Sequence, residues 1–260
     1  MLKILKYSFF DLIRSRWSYV YLLFYLLLGF VLLFLNEDLS KAVITLMNVI
    51  IILVPLIGTI FGVMYYYDSK EFTELLLAQP IKRSSIFIGQ YLGVSLSLVM
   101  SLVIGLGLPF IFYGLFESTA IFDFSLLLVT GSLLTFAFTA IAFNIALYNE
   151  NKIKGFSYAI LMWLFLAVIY DGLFLMFLVI FESYPLDKFS LIATMLNPID
   201  LSRILILLKL DIAALLGYTG AIFKEFFGTN TGLISALSAL LVWVLLPVYN
   251  IYRKSKKKDF

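Results

Sequence analysis

Residues 42–67 read AVITLMNVIIILVPLIGTIFGVMYYY, 26 consecutive positions without a charged side chain. A helix that crosses the hydrocarbon core of a bilayer needs about 20 mostly apolar residues, so this run can cross with residues to spare. Working outward from it, five more such runs emerge at 17–35, 87–115, 124–148, 155–181 and 231–252. Each is bounded by charge or turn chemistry, as at Asn36-Glu37-Asp38 and Asn149-Glu150-Asn151-Lys152. The composition of the 260 residues agrees: 63% are hydrophobic and 13% charged, against roughly 45–50% and 25% in a soluble domain. Mean hydropathy is +1.05. A globule of this size has no interior large enough to hide that much apolar surface. The expectation is an all-α integral membrane protein, one domain over 1–260 with six transmembrane helices.

Charge placement gives the direction. With the N-terminus inside, 14 of the 19 Lys and Arg fall on that side, including Lys82, Arg83, Lys152 and the run from Arg253 to Lys258. The positive-inside rule therefore puts both termini in the cytoplasm. Residues 2–16 read as an amphipathic interfacial helix, with Leu2, Leu5, Phe9, Leu12 and Ile13 on one face and Lys3, Asp11 and Arg14 opposite. The basic tail after Tyr252 offers contacts to anionic lipid. Residues 182–230 are expected to form external helices on or dipping into the outer leaflet. A seventh crossing there would bury Arg203, or Lys209 with Asp211, at about 2.5–3.5 kcal/mol each. Within this segment Asn197-Pro198-Ile199-Asp200 is a helix start: Asn caps, Pro takes the first helical position, and Asp sits in the positive first turn.

Several chemistries drop out. With no Cys and no His, thiolate or imidazole metal sites and Cys or His catalysis are excluded. Copper(I) would find only Met, and the methionines are scattered rather than paired, which reads as packing filler. No Gly-rich loop ending in Lys-Ser/Thr is present, so no ATP site is expected and the chain is not read as an enzyme.

What remains are two candidate regions. The connector at 68–86, DSKEFTELLLAQPIKRSSI, can form a short amphipathic helix stopped by Pro80, followed by Gly89-Gln90-Tyr91-Leu92-Gly93 at the start of the third span. Such an elbow is a handle for a partner protein or a solvated connector. Asp171 is the one acid well inside a span. It reads either as a gate or cargo contact, or as a structural carboxylate bonded to Asn144, Tyr170 or backbone. Asn48 and Asn144 read as interhelical hydrogen bonders, and Gly58…Gly62 as a close-approach stripe for either a dimer seam or intrachain packing.

The run Glu71…LLLAQPIKR…GQYLG resembles the corresponding loop of ABC type-2 transporter permeases, with Phe72 ahead of Thr73 where that family has Gly-Thr. The resemblance implies that 68–86 is a coupling helix docking into a cytoplasmic ABC ATPase, with Glu71, Glu74, Leu77, Gln79, Pro80 and Arg83 as contacts. A narrower resemblance is to NosY-type permeases, through Leu196–Arg203, Gly217-Tyr218-Thr219-Gly220-Ala221 and the Asp late in span five. It implies a homodimer in a bacterial inner membrane, working with a NosF-like ATPase and a NosD-like periplasmic solenoid protein in copper-site maturation of nitrous oxide reductase. Asn197, Pro198, Asp200, Arg203 and Tyr218 would then face the periplasmic partner. No cofactor is expected on this chain, with ATP and Mg on the ATPase. The alternatives are an ABC exporter permease for another small cargo, an ion-coupled secondary carrier centred on Asp171, and a scaffold for an assembly factor.

Overall fold

The computed structural model describes residues 1–36, 38–181, 186–209 and 230–256, and no β-strand occurs among them. The helices are α1 (Leu2–Arg14), α2 (Arg16–Leu35), α3 (Leu39–Asp68), α4 (Lys70–Leu77), α5 (Arg83–Phe112) and α6 (Ile121–Tyr148). They continue as α7 (Lys152–Leu164), a π-helical segment (Phe165–Ile169), α8 (Tyr170–Ile180), α9 (Asp187–Met195), α10 (Pro198–Lys209) and α11 (Asn230–Ser255). Among the described residues six helices are long and apolar enough to cross a membrane, α2, α3, α5, α6, the continuous α7–α8 rod and α11, and the bent α9–α10 pair passes the same test only if its two helices are taken as one span. That is the number expected from the sequence.

Local chemistry sets the boundaries. Ser15 breaks the amphipathic segment from the first span and accepts the Ser18 N–H at 3.3 Å, so α1 stops at Arg14 rather than 16. Pro80 lies beyond the end of α4, and the chain turns tightly with Ile81 N–H on the Gln79 carbonyl at 2.6 Å. The next helix then begins at Arg83, four residues before the expected start of span three at 87. That span ends at Phe112 instead of 115, because Gly114 adopts a left-handed φ of 82° and redirects the chain.

Two packing seams organise the bundle. The first runs along α5, where Gly89, Gly93, Ser97, Ser101, Gly105 and Pro109 repeat every four residues on one face. This trough receives α1 and then α2. A Cβ added at Gly93 would lie 2.6 Å from Ser8 Cβ, and one at Gly105 would lie 2.6 Å from Tyr25 Cβ. Small side chains let the backbones approach to where dispersion contacts are dense. The covered side of α1 includes most of the expected face, with Leu12 buried and Leu5, Phe9 and Ile13 half-buried, while Leu2 is exposed and Ile4 and Ser8 join the contact with α5.

The second seam joins α3 to α6. Gly58 packs on Thr135 and Thr139, and Gly62 on Thr139 and Ala142. The stripe at 58–62 is therefore used inside the chain. Around it the α6 span is the most enclosed of the six, while α7–α8 and α11 are peripheral. Asn144 bridges helices, with Nδ2 donating to the Pro247 carbonyl of α11 at 2.7 Å. Asn48 differs from expectation. It is exposed, and its Nδ2 reaches only its own helix, at the Ile44 carbonyl 3.4 Å away.

Both termini of the described chain lie at the same end as α4 and the turn 149–151. There Tyr67 Oη donates to the Asn149 carbonyl at 2.6 Å, Asp68 pairs with Lys152 at 2.6 Å, and Lys254 stacks over Tyr148 at 4.3 Å. At the opposite end α9 and α10 form a bent pair with an angle of 112° between them. Phe189 of α9 stacks on Phe177 of α8, with ring centroids 4.3 Å apart.

Candidate functional site

Two constellations have the geometry to do work, one at each end of the bundle. At the end with the termini, α4 stands out as a short helix whose outer side carries Glu71, Glu74 and Leu75, all exposed. Gln79, Pro80 and Arg83 are exposed in the turn that follows, and Leu77 is half-buried. Two anchors that the sequence did not single out hold this helix rigid. Gln90 Nε2, fully buried on α5, donates to Thr73 Oγ1 at 2.8 Å. Thr73 in turn donates to the Ser69 carbonyl at 2.8 Å. On the other side Phe72 stacks on Tyr7 of α1, with ring centroids 4.6 Å apart and planes inclined by 26°.

The GQYLG run now has a physical meaning. Gly89 and Gly93 admit α1 against α5, and Gln90 between them fastens the elbow. The helix that carries Glu71, Glu74 and Leu75 is thus joined to α5 by a buried hydrogen bond and to α1 by a ring stack. Beside the stack, α1 presents Lys3, Lys6, Tyr7, Phe10, Asp11 and Arg14 around an open depression.

The second constellation sits where the α9–α10 pair meets span five. The Arg203 guanidinium of α10 donates through Nη1 to Asp171 Oδ2 at 2.9 Å and to Asp200 Oδ1 at 3.3 Å. Asp200 also accepts from Asn197 Nδ2 at 2.7 Å. That amide nitrogen donates as well to the Leu166 carbonyl of the π segment at 2.8 Å, and Asn197 Oδ1 accepts the Ile199 N–H at 3.1 Å. The sequence placed Asp171 beside Asn144, Tyr170 or backbone; the structure places Arg203 on it, 32 positions away. Asn144 is engaged elsewhere.

Helix ends inside a membrane need partners for their last carbonyls. The end of α9 has them: Tyr170 Oη donates to the Ala193 carbonyl at 2.6 Å, and Trp243 Nε1 to the Met195 carbonyl at 3.2 Å. The tip of the pair thus meets spans five and six well within their lengths. Asn197 and Pro198 are fully or almost fully enclosed, Asp200 is 6% exposed, and the side chains of Arg203 and Asp171 are 26% and 32% exposed. These residues face span five rather than forming an outward patch. Tyr218 and the run 217–221 lie outside the described residues.

No group of three or more Asp, Glu, His or Cys with metal-binding geometry occurs among the described residues. Met47 is buried in the core, while Met100 and Met176 are exposed on the bundle surface.

Six candidate crossings among the described residues, a first helix laid against them, and an exposed elbow between crossings two and three are the parts of a multi-pass membrane protein. The chain is similar to the "Probable ABC transporter permease protein NosY" of Stutzerimonas stutzeri, with 22% identity over 265 aligned residues covering 94% of each chain. No protein-family model matches. The similarity over nearly the whole length and the six crossings together support a transmembrane ABC permease.

Proposed function

We propose that this chain is the permease half of an ABC transporter complex in a bacterial inner membrane, with both termini cytoplasmic. Two copies would form a twelve-span core, and a separate ATPase would bind and hydrolyse ATP. The observation that carries this reading is the elbow. An amphipathic helix of eight residues is exposed to solvent on its charged side, yet is anchored to a spanning helix by Gln90–Thr73 and to α1 by Tyr7–Phe72. A solvated connector has no need of either anchor. Glu71, Glu74, Leu77, Gln79, Pro80 and Arg83 are the docking residues on this reading, and α1 receives part of the stroke. The displacement would travel along α5 and α3 toward the opposite end, where the Asp171–Arg203 contact joins span five to the α9–α10 pair.

The finer reading is NosY-like. The complex would contain a NosF-like ATPase and a NosD-like periplasmic solenoid protein, and would serve copper-site maturation of nitrous oxide reductase. Copper itself would be handled by partners, since soft ligands other than Met are absent from this sequence. A self-sufficient ion-coupled carrier is the competing class. The guanidinium on Asp171 weighs against it, because a coupling acid has to stand open to the ion. The test is purification of a Glu71→Lys, Arg83→Glu variant from its native membrane. Loss of a co-purifying ATPase supports the elbow as the docking site; an undiminished ATPase overturns that assignment.

A further inference from the structure

Between its first turn and Tyr67, α3 has four exposed residues: Lys41, Thr45, Asn48 and Ile52. Their spacing is 4-3-4. The rest of that stretch is buried or half-buried, packed by α2, α5, α6, α7 and α10. A stripe with this spacing is the signature of one side of a left-handed helix pair, in which residues recur every 3.5 positions along the seam. The stripe ends just before Pro55, through which α3 continues, and the next residues on that side, Leu56 and Ile60, are half-buried.

Two of the four, Thr45 and Asn48, are uncharged polar residues in a span chosen for lipid. Thr45 Oγ1 is bonded back to the Lys41 carbonyl at 3.1 Å, and Asn48 Nδ2 reaches back to Ile44 at 3.4 Å. Among the described residues neither side chain has another hydrogen-bond partner. Hydrocarbon supplies no partner to an amide, so an asparagine facing lipid is left with unmet donors and acceptors. In a helix pair the same residue is useful, since a single polar side chain at a seam position fixes register and oligomeric state. An amide holds both a donor and an acceptor, so its natural complement across a two-fold axis is another copy of itself. Lys41 lies at the membrane surface, where its ammonium stays hydrated.

We propose that Thr45, Asn48 and Ile52 form the seam at which two copies of this chain meet, α3 against α3, with Asn48 hydrogen-bonded across the axis. The seam deepens the homodimeric permease reading and rests on it. It gives Asn48 the interhelical role that the single chain does not provide.

The chain has no cysteine, so single replacements can be read without background. Disulfides form only where Cα atoms come within about 7 Å, which makes oxidation in native membranes a direct ruler. Thr45→Cys, Asn48→Cys and Ile52→Cys should each move the monomer band to a species of twice its mass. Phe34→Cys on α2 and Leu246→Cys on α11, both more exposed than Ile52, should remain monomeric. In detergent, Asn48→Leu should lower the dimer fraction and Asn48→Gln should restore it. Crosslinking at 34 or 246 with none along the stripe overturns the seam, as does a protein that stays monomeric in the membrane. Co-purification of an ATPase is scored separately. Stripe crosslinks without an ATPase uphold the seam and sink the permease reading, while an ATPase with crosslinks elsewhere does the reverse.

Discussion

Arg203 is shared by two carboxylates, Asp171 on span five and Asp200 on its own helix, in a largely apolar corner. Removing the cation leaves both acids uncompensated, whereas removing one acid leaves the other to pair. Arg203→Ala is therefore expected to destabilise the protein by roughly 1–3 kcal/mol, less than the ~3–5 of a fully enclosed pair because water reaches part of this one. Asp171→Asn should cost less than Arg203→Ala, and thermal unfolding in detergent checks the order. The opposite order would mean that Asp171 stabilises the fold through contacts other than Arg203. Each of these residues was visible in the sequence as an oddity: a lone acid in a span, and an Arg in an apolar external segment. What the sequence did not reveal was their pairing, since 32 positions and a helix reversal separate them. Counting unmatched charges at similar depth was the signal that could have joined them. Asn48 was visible too, but which helix it faced depended on which sides of α3 the chain itself covers.

Among the elements, α1, α4 and the first turns of α5 behave as one piece. Gly93 is a point of closest packing within it, because a side chain there would meet Ser8 and the α1 backbone at 2.6–2.9 Å. Gly93→Val should push α1 off α5 at a cost of about 1–3 kcal/mol for overpacking. The readout is increased labelling of a cysteine introduced at the buried Ile4; unchanged labelling would mean that α1 is held by its ends instead. Gln90→Leu removes the buried bond to Thr73, worth about 1 kcal/mol. It should leave the ATPase bound but weaken the dependence of its activity on the permease. If that coupling is unchanged, the ring stack on Tyr7 carries the load alone. The sequence located the elbow between 68 and 86 because charge, amphipathic spacing and Pro80 are local signals. It found most of the covered side of α1 but not Ile4 and Ser8, whose burial is chosen by the trough on α5, a four-residue repeat that apolar periodicity does not register. The π segment was likewise illegible, since it answers to Asn197 rather than to its own residues.

As a whole molecule, the protein separates an enclosed inner group from a more exposed outer one. The α3–α6 seam and the α5 trough enclose α3, α5 and α6, while the α7–α8 rod and α11 lie at the periphery, tied to the rest by hydrogen bonds such as Asn144 to Pro247, Trp163 to Ile52 and Arg203 to Asp171. The number of crossings could be read from length and hydropathy alone, because lipid imposes both. Their arrangement could not, because apolar helices in lipid are sorted by small-residue contacts and hydrogen bonds rather than by burial of hydrophobic surface. On the proposed function this bundle is driven by an ATPase seated on the elbow. The most direct measurement is purification of the intact protein from its native membrane, with identification of the associated chains and assay of ATP hydrolysis. The account expects a soluble ATPase in the complex, released by Glu71→Lys with Arg83→Glu, and a periplasmic repeat protein beside it if the NosY-like role holds. A protein recovered alone, with no ATP hydrolysis at any stage, would contradict it.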